Sequence, residues 1–226
     1  MSLVNDPVLF PIGLSLQVAT LALAAVVVPG VALAWLQARR RYPGWSLVEG
    51  LILLPMVLPP SVIGYFLVVA LGRNGALGRL LDDTLGLRLI FTPAAAVLAA
   101  CVVALPMLVK TLQPALAQVP RELEAAGRTL GLGPLALFFR VTLPVAWRGL
   151  VAALVLAFAR ALGEFGATLM FAGNIPGRTN TMPLEIFSAY QAGEDGRALL
   201  YVVTLTVVSL AVALLASTLS GNGARR

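Results

Sequence analysis

Apolar runs and short polar breaks alternate along this chain of 226 residues. The runs cover residues 12–36, 50–71, 93–109, 149–171 and 199–219, and the first of them carries no charge at all. A helix needs about 20 apolar residues to cross a bilayer, so the pattern predicts five membrane spans, the third extended to residue 112 by helix-compatible positions. The fold class expected is all-α, one polytopic membrane domain over residues 12–219. Pro29 lies inside the first run, and Pro55, Pro59 and Pro60 lie inside the second. Proline removes a backbone donor and kinks or breaks a helix, and a break survives in a membrane only where protein or a water-filled cavity satisfies the freed carbonyls. Pro59, Pro60 and Ser61, in L-P-P-S-V-I-G-Y, therefore mark either a core or pathway position or a purely structural kink. Ala96, Ala100 and Ala104 recur every four residues, as do Gly149, Ala153, Ala157 and Ala161, two stripes suited to close helix packing. Residues 72–92 read as a loop.

The best-patterned polar stretch is residues 119–144. Pro120 suits a first helical position, Glu122 and Glu124 fall in the first turn, and Arg128 sits toward the far end, all in keeping with a helix dipole. Gly131 and Gly133-Pro134 then stop the helix. A short helix over residues 120–130 follows, with Ala125, Ala126 and Gly127 as a small-residue waist that lets another backbone come close. On the surface of a membrane protein such an element is a docking helix; the plain alternative is an amphipathic loop helix between two spans.

Composition agrees. The chain is 59% hydrophobic and 12% charged, with a mean hydropathy of +0.93, whereas a soluble domain carries about 25% charged residues. It has no histidine and a single cysteine, Cys101, which excludes an internal disulfide and leaves too few ligands for a Cys/His metal site. The net charge of +6 belongs to loops flanking spans rather than to a nucleic-acid surface. The start, M-S-L-V-N-D-P, lacks a basic leader segment, so no cleaved signal is expected, and with the end so close to the fifth run no C-terminal regulatory domain is expected. With five spans, Arg39, Arg40, Arg41, Lys110, Arg121, Arg128, Arg140, Arg148, Arg225 and Arg226 share one side, and Arg73, Arg79, Arg88, Arg178 and Arg197 the other. The richer side is expected to be cytoplasmic, which puts the docking helix there too.

One charged pair falls inside a run. Arg160 and Glu164 are four residues apart, hence helical neighbours, and Arg160 lies about 16 Å along the helix from Gly149, near mid-bilayer. A lone charge there costs at least about 2.5–3.5 kcal/mol. Arg160 either lends positive potential to an anion pathway or is held in a structural bridge that Glu164 cancels.

The motifs carry a resemblance. Glu124-Ala125-Ala126 precede Gly131, and nine residues later come Val141-Thr142-Leu143-Pro144. This resembles the EAA loop of permease subunits of ABC importers, whose pattern is E-A-A, three residues, G, nine residues, I-x-L-P. The second half matches with Val for Ile. The first half is one residue longer, so in strict register Ala125 stands where the family has Glu. The runs A-A-G-R-T-L-G, L-P-P-S-V-I-G-Y and R-A-L-G-E-F-G-A-T are similar to the molybdate branch, while A-G-N-I-P, which contains Asn174, is also similar to sulfate permeases. The resemblance implies a type I importer permease working as a homodimer in the cytoplasmic membrane of a bacterium or archaeon. Its partners would be two ATP-binding subunits inside and a periplasmic or lipid-anchored molybdate-binding protein outside. ATP and magnesium would sit on the partner subunit, with no cofactor in this chain. Glu122, Glu124, Ala125, Ala126, Gly127, Gly131, Leu132 and Pro144 would couple to the ATPase. Pro59, Pro60, Ser61, Arg160, Glu164, Asn174 and Arg178 would be the candidate pathway or gate. The expected cargo is molybdate, with tungstate as a close analogue; sulfate or thiosulfate is the alternative.

Enzymatic readings lack their residues. There is no G-x-x-x-x-G-K-[ST], the only lysine being Lys110 after Val109, and H-E-x-x-H is impossible without histidine. Glu164 is the only carboxylate within a span, which excludes an acid–base dyad inside one chain. An anion channel would leave the docking helix unexplained.

Overall fold

The computed structural model describes residues 8–39 and 42–221, with side chains described up to residue 218. Arg40, Arg41, Arg225 and Arg226, used in the charge count, lie outside the described residues, as does M-S-L-V-N-D-P.

Helices α1 (Leu9–Arg39), α2 (Trp45–Val57), α3 (Pro60–Leu71) and α4 (Ala76–Leu85) form the first half, followed by α5 (Pro93–Ala117) and α6 (Arg121–Thr129). Two short helices, α7 (Pro134–Leu137) and α8 (Leu143–Val145), flank a π-helical turn (Phe138–Thr142). The chain continues through α9 (Trp147–Leu162), α10 (Gly166–Phe171), α11 (Met182–Gln191) and α12 (Asp195–Gly221). Pro29 is accommodated inside α1 and Pro106 and Pro114 inside α5. Thr92 caps α5 by accepting from the Ala95 amide.

The core is a three-helix packing of α1, α5 and α9 built on small residues. Ala19, Ala22 and Ala34 of α1, Ala96, Ala100 and Ala104 of α5, and Ala153 and Ala157 of α9 are wholly inaccessible. Lipid supplies no hydrophobic drive between helices, so association rests on close van der Waals contact, which small side chains permit. A Cβ at Gly149 would lie 2.1 Å from the Ala115 Cβ, and one at Gly30 would lie 2.6 Å from a Leu108 methyl. Both small-residue stripes read from the sequence are therefore contact faces.

Two expected spans are not single helices. Residues 50–71 split between α2 and α3, and the chain bends by 113° from one to the other. Leu58 and Pro59 are extended, because a residue before proline is pushed out of the helical region and Pro59-Pro60 places two such constraints in succession. Residues 149–171 split likewise: α9 stops at Leu162, residues 163–165 are non-helical, and α10 starts at Gly166. Arg160 and Glu164 thus do not share one continuous helix, since Gly163 ends α9 just before the glutamate. Among the described residues α1, α5 and α12 are each long and apolar enough to cross a membrane alone. Up to five spans result if α2 with α3, and residues 134–145 with α9, which bend by 80°, each count as one.

The loops hold more helix than expected. Within 72–92, α4 forms and ends at Gly86 in the left-handed region (φ 64°). Between α10 and α12, α11 starts with Thr181 at its cap and Pro183 in its first turn. Pro120 caps α6 rather than beginning it.

Candidate functional site

Helix α6 has two chemically different faces. Glu122, Leu123, Ala125, Ala126, Thr129 and Leu130 are exposed, whereas Glu124 and Gly127 are buried. The structure therefore divides the expected coupling residues: Glu122, Ala125 and Ala126 point away from the body, and Glu124 and Gly127 anchor the helix to it. Leu130, 82% exposed, adds an apolar side chain to the free face. Gly127 lets the helix lie close against the rest of the loop, since a Cβ there would lie 2.5 Å from a Leu137 methyl. Gly131 turns the chain in the left-handed region (φ 82°), and the half-buried Leu132 donates its amide to the Gly127 carbonyl at 3.1 Å. Pro144 is exposed on α8.

Glu124 is the hub. Its Oε1 accepts from Arg39 Nη2 at 2.8 Å and from the Thr142 hydroxyl at 2.8 Å, while its Oε2 lies 3.7 Å from Arg128 Nη2. Arg39 also donates to the Val119 carbonyl at 3.1 Å. The end of α1, the lead into α6 and the π-helical turn thus meet on one carboxylate. A buried carboxylate is tolerated when a cation and further donors satisfy it, and all are present.

The second assembly is the meeting of the two breaks. A Cβ at Gly166 would lie 2.9 Å from the Pro60 Cβ and 3.3 Å from the Ser61 amide nitrogen. One turn on, a Cβ at Gly64 would lie 2.6 Å from the Met170 Cβ and 3.0 Å from the Ala167 backbone. So α3 and α10 cross backbone to backbone, with Ile63, Ala99, Val103 and Ala167 as a small apolar cluster beneath. Glu164 supports the second break: its Oε1 accepts from the Ala167 amide at 2.8 Å, satisfying a free donor of α10, and its Oε2 pairs with Arg160 Nη1 at 2.8 Å. The Glu164 side chain is 2% exposed and that of Arg160 30%. Pro59, Pro60, Ser61 and Gly163 are exposed beside them. The structure brings Pro59, Pro60, Ser61, Arg160 and Glu164 into one region.

Asn174 and Arg178 belong to another. Asn174 donates Nδ2 to the Ser188 hydroxyl and to the Leu184 carbonyl, tying the loop to α11. Asn180 and Arg197 hold the buried Glu185 at 3.0 and 2.5 Å. Arg178 is exposed and, with Arg73, Arg88 and Asp82, lines a cavity of about 400 Å³ beside α4.

The family described as the binding-protein-dependent transport system inner membrane component matches residues 27–222. This chain belongs to that family. Among its relatives, the molybdenum transport system permease protein ModB of Escherichia coli K12 is 41% identical over 93% of each chain. The protein of the same name from Haemophilus influenzae is 43% identical over 88% of this chain and 89% of its own length. In fold, the chain resembles a subunit of the MetNI methionine ABC transporter in an inward-facing crystal form, with a TM-score of 0.71 at 17% identity over 94% of each chain. It also resembles a subunit of a bacterial alginate ABC transporter, with a TM-score of 0.75 at 16% identity over 97% of this chain and 80% of the other. The protein is an all-helical, multi-pass permease subunit of type I architecture.

Within this permease fold two participants escaped the sequence reading, Arg39 and Thr142. Arg39 looked like one basic loop residue among three, and Thr142 occupies the free position of V-x-L-P. A glutamate on the inward face of α6 requires a cation, and that requirement was the available signal. The pair of Lys110 with Glu49, which ties α5 to α2, was also missed.

Proposed function

We propose that this chain is the membrane-spanning subunit of an ATP-driven importer of molybdate, with tungstate accepted as a close analogue. Two copies pair with two ATP-binding subunits on the cytoplasmic side and one molybdate-binding protein on the outer side of the cytoplasmic membrane. The observation that carries this reading is the 41–43% identity, over about nine-tenths of both chains, to relatives named as molybdenum permeases. The alternative, a sulfate or thiosulfate permease, has only the A-G-N-I-P run in its favour.

The free face of α6 is the coupling surface. Its outward side chains are short at Ala125 and Ala126 and apolar at Leu123 and Leu130, which suits insertion into a groove of the ATP-binding subunit. The Glu124 hub then makes docking mechanical, because α6 cannot move without pulling Arg39 at the end of α1 and Thr142 at the elbow leading into α9. At the far end of α9 lie Arg160 and Glu164 beside the broken helices, so a tilt of α9 reaches the place where α3 and α10 cross. ATP hydrolysis belongs to the partner subunit, and this chain carries the displacement. On this reading the 400 Å³ cavity lined by Arg73, Arg88, Arg178 and Asp82 faces outward, where an acidic surface of the binding protein would dock.

The test is the ATPase rate of the assembled complex with its binding protein loaded in turn with molybdate, tungstate or sulfate. Stimulation by the first two alone is expected. Stimulation by sulfate alone would move the assignment to the alternative.

A further inference from the structure

Two adjoining hollows lie at the Arg39 end of the molecule. The first is an apolar groove of about 510 Å³ between α1, the 134–145 elbow and α9, lined by Val27, Val31, Leu135, Phe139, Leu150 and Leu154 among others. The second is a polar cleft of about 260 Å³ lined by Arg39, Arg121, Glu124, Arg128 and Thr142. Trp35, Pro134 and Phe138 line both, so the groove opens into the cleft. Three arginines face one carboxylate in the cleft, an excess of two positive charges. Arg39 is largely buried with its Nε–H lacking an acceptor, and Arg121 makes no ion pair among the described residues.

We propose that this composite hollow holds one anionic phospholipid of the inner leaflet, its acyl chain along the groove and its phosphate on Arg39, Arg121 and Arg128. The inference does not depend on which anion is transported. Length supports it: from Val27 to Arg39 the helix rises about 18 Å, against roughly 15 Å for one leaflet of a hydrocarbon core about 30 Å thick. The arginines therefore stand at headgroup level when the groove ends near the bilayer midplane. Basic pockets beside spans on the cytoplasmic face attract anionic headgroups by this chemistry. A second copy of the chain docking by this same face would bring the same excess of arginines to the cleft and be repelled. A soluble acidic segment would leave the apolar groove unfilled at membrane depth. Trp35, packed edge-on against Phe138 with ring centroids 6.2 Å apart, forms the rim between the two parts. An amphipathic ring at that level is the usual boundary marker between acyl chain and headgroup.

The experiment is native mass spectrometry of the complete transporter complex after titration with phosphatidylglycerol or phosphatidylcholine of identical acyl chains. One retained phosphatidylglycerol per copy of the chain is expected, preferred at least about tenfold over phosphatidylcholine. Arg121→Gln with Arg128→Gln should remove most of that preference, about fivefold per arginine. Ala32→Trp, which fills the exposed groove wall, should lower retention of both lipids. Equal retention of the two lipids by the unaltered complex would overturn the proposal, as would an undiminished preference in the double variant. Displacement of phosphatidylglycerol by millimolar inorganic phosphate would also overturn it, since the cleft would then bind a free anion. So would a disulfide between two copies of the chain formed by Leu135→Cys, because the groove would then be covered by protein.

Discussion

Glu124 and Glu164 are both buried carboxylates, and each does two jobs. Glu124 joins α1 to α6 and the π-helical turn; Glu164 caps α10 and neutralises Arg160. Removing one member of a buried pair strands the other charge, at about 3–5 kcal/mol, whereas replacing both by apolar groups is much milder. Glu124→Ala is therefore expected to unfold the α6 end of the molecule and lower the thermal midpoint of the purified complex, and Arg39→Met with Glu124→Leu to recover most of the loss. A single variant with an unchanged midpoint would remove the hub from the account. For the second pair, Arg160→Gln should reduce the yield of folded protein, and adding Glu164→Gln should restore it, since glutamine keeps an oxygen for the Ala167 amide. If Arg160 serves the anion instead, Arg160→Gln loses transport at full expression and the second substitution does not help. The cap and the 2.8 Å ion pair favour the structural outcome.

At the level of elements, apolar runs made the long helices legible, and small residues at four-residue spacing made their packing faces legible. Pro59 and Pro60 announced a break in the second span but not its sharpness, a bend of 113° between α2 and α3. The break at residues 163–165 was hidden for another reason. Glu164 reads as an ordinary helical neighbour of Arg160 until its carboxylate is seen capping a new helix. Outward and inward faces of α6 were likewise not separable by motif, which treats Glu124, Ala125 and Ala126 as one unit. Contact geometry now sorts them. Gly149→Val should weaken the α5–α9 contact, since even one carbon would stand 2.1 Å from Ala115; overpacking of this kind costs typically about 1–3 kcal/mol, measurable as a lower unfolding midpoint. Ala126→Trp lies on the open side of α6 and should leave that midpoint unchanged while abolishing transport driven by ATP. Normal transport by an assembled Ala126→Trp complex would exclude α6 as the coupling surface.

For the molecule as a whole, on the function proposed above, a conduit must release what it receives, so high affinity for the anion would belong to the external binding protein. Equilibrium dialysis of the permease with labelled molybdate should detect no submicromolar binding, and a tight site among the spans would contradict that division of labour. The order in which the molecule is made also matters. Ser15 of α1 accepts from the Met182 amide at 2.7 Å, across 167 residues of sequence, and the Tyr201 hydroxyl donates to the Val8 carbonyl at 3.1 Å, across 193. At a synthesis rate of roughly 5–20 residues per second, α1 leaves the ribosome on the order of ten to thirty seconds before these partners exist. During that interval its Ser15 hydroxyl has only its own helix to bond, a competent if weaker arrangement. By the time α11 emerges, α5 and α9 already exist to pack against α1, so the last two helices are a latch on a bundle that can form without them, and a ribosome stalled before α11 leaves that bundle unlatched.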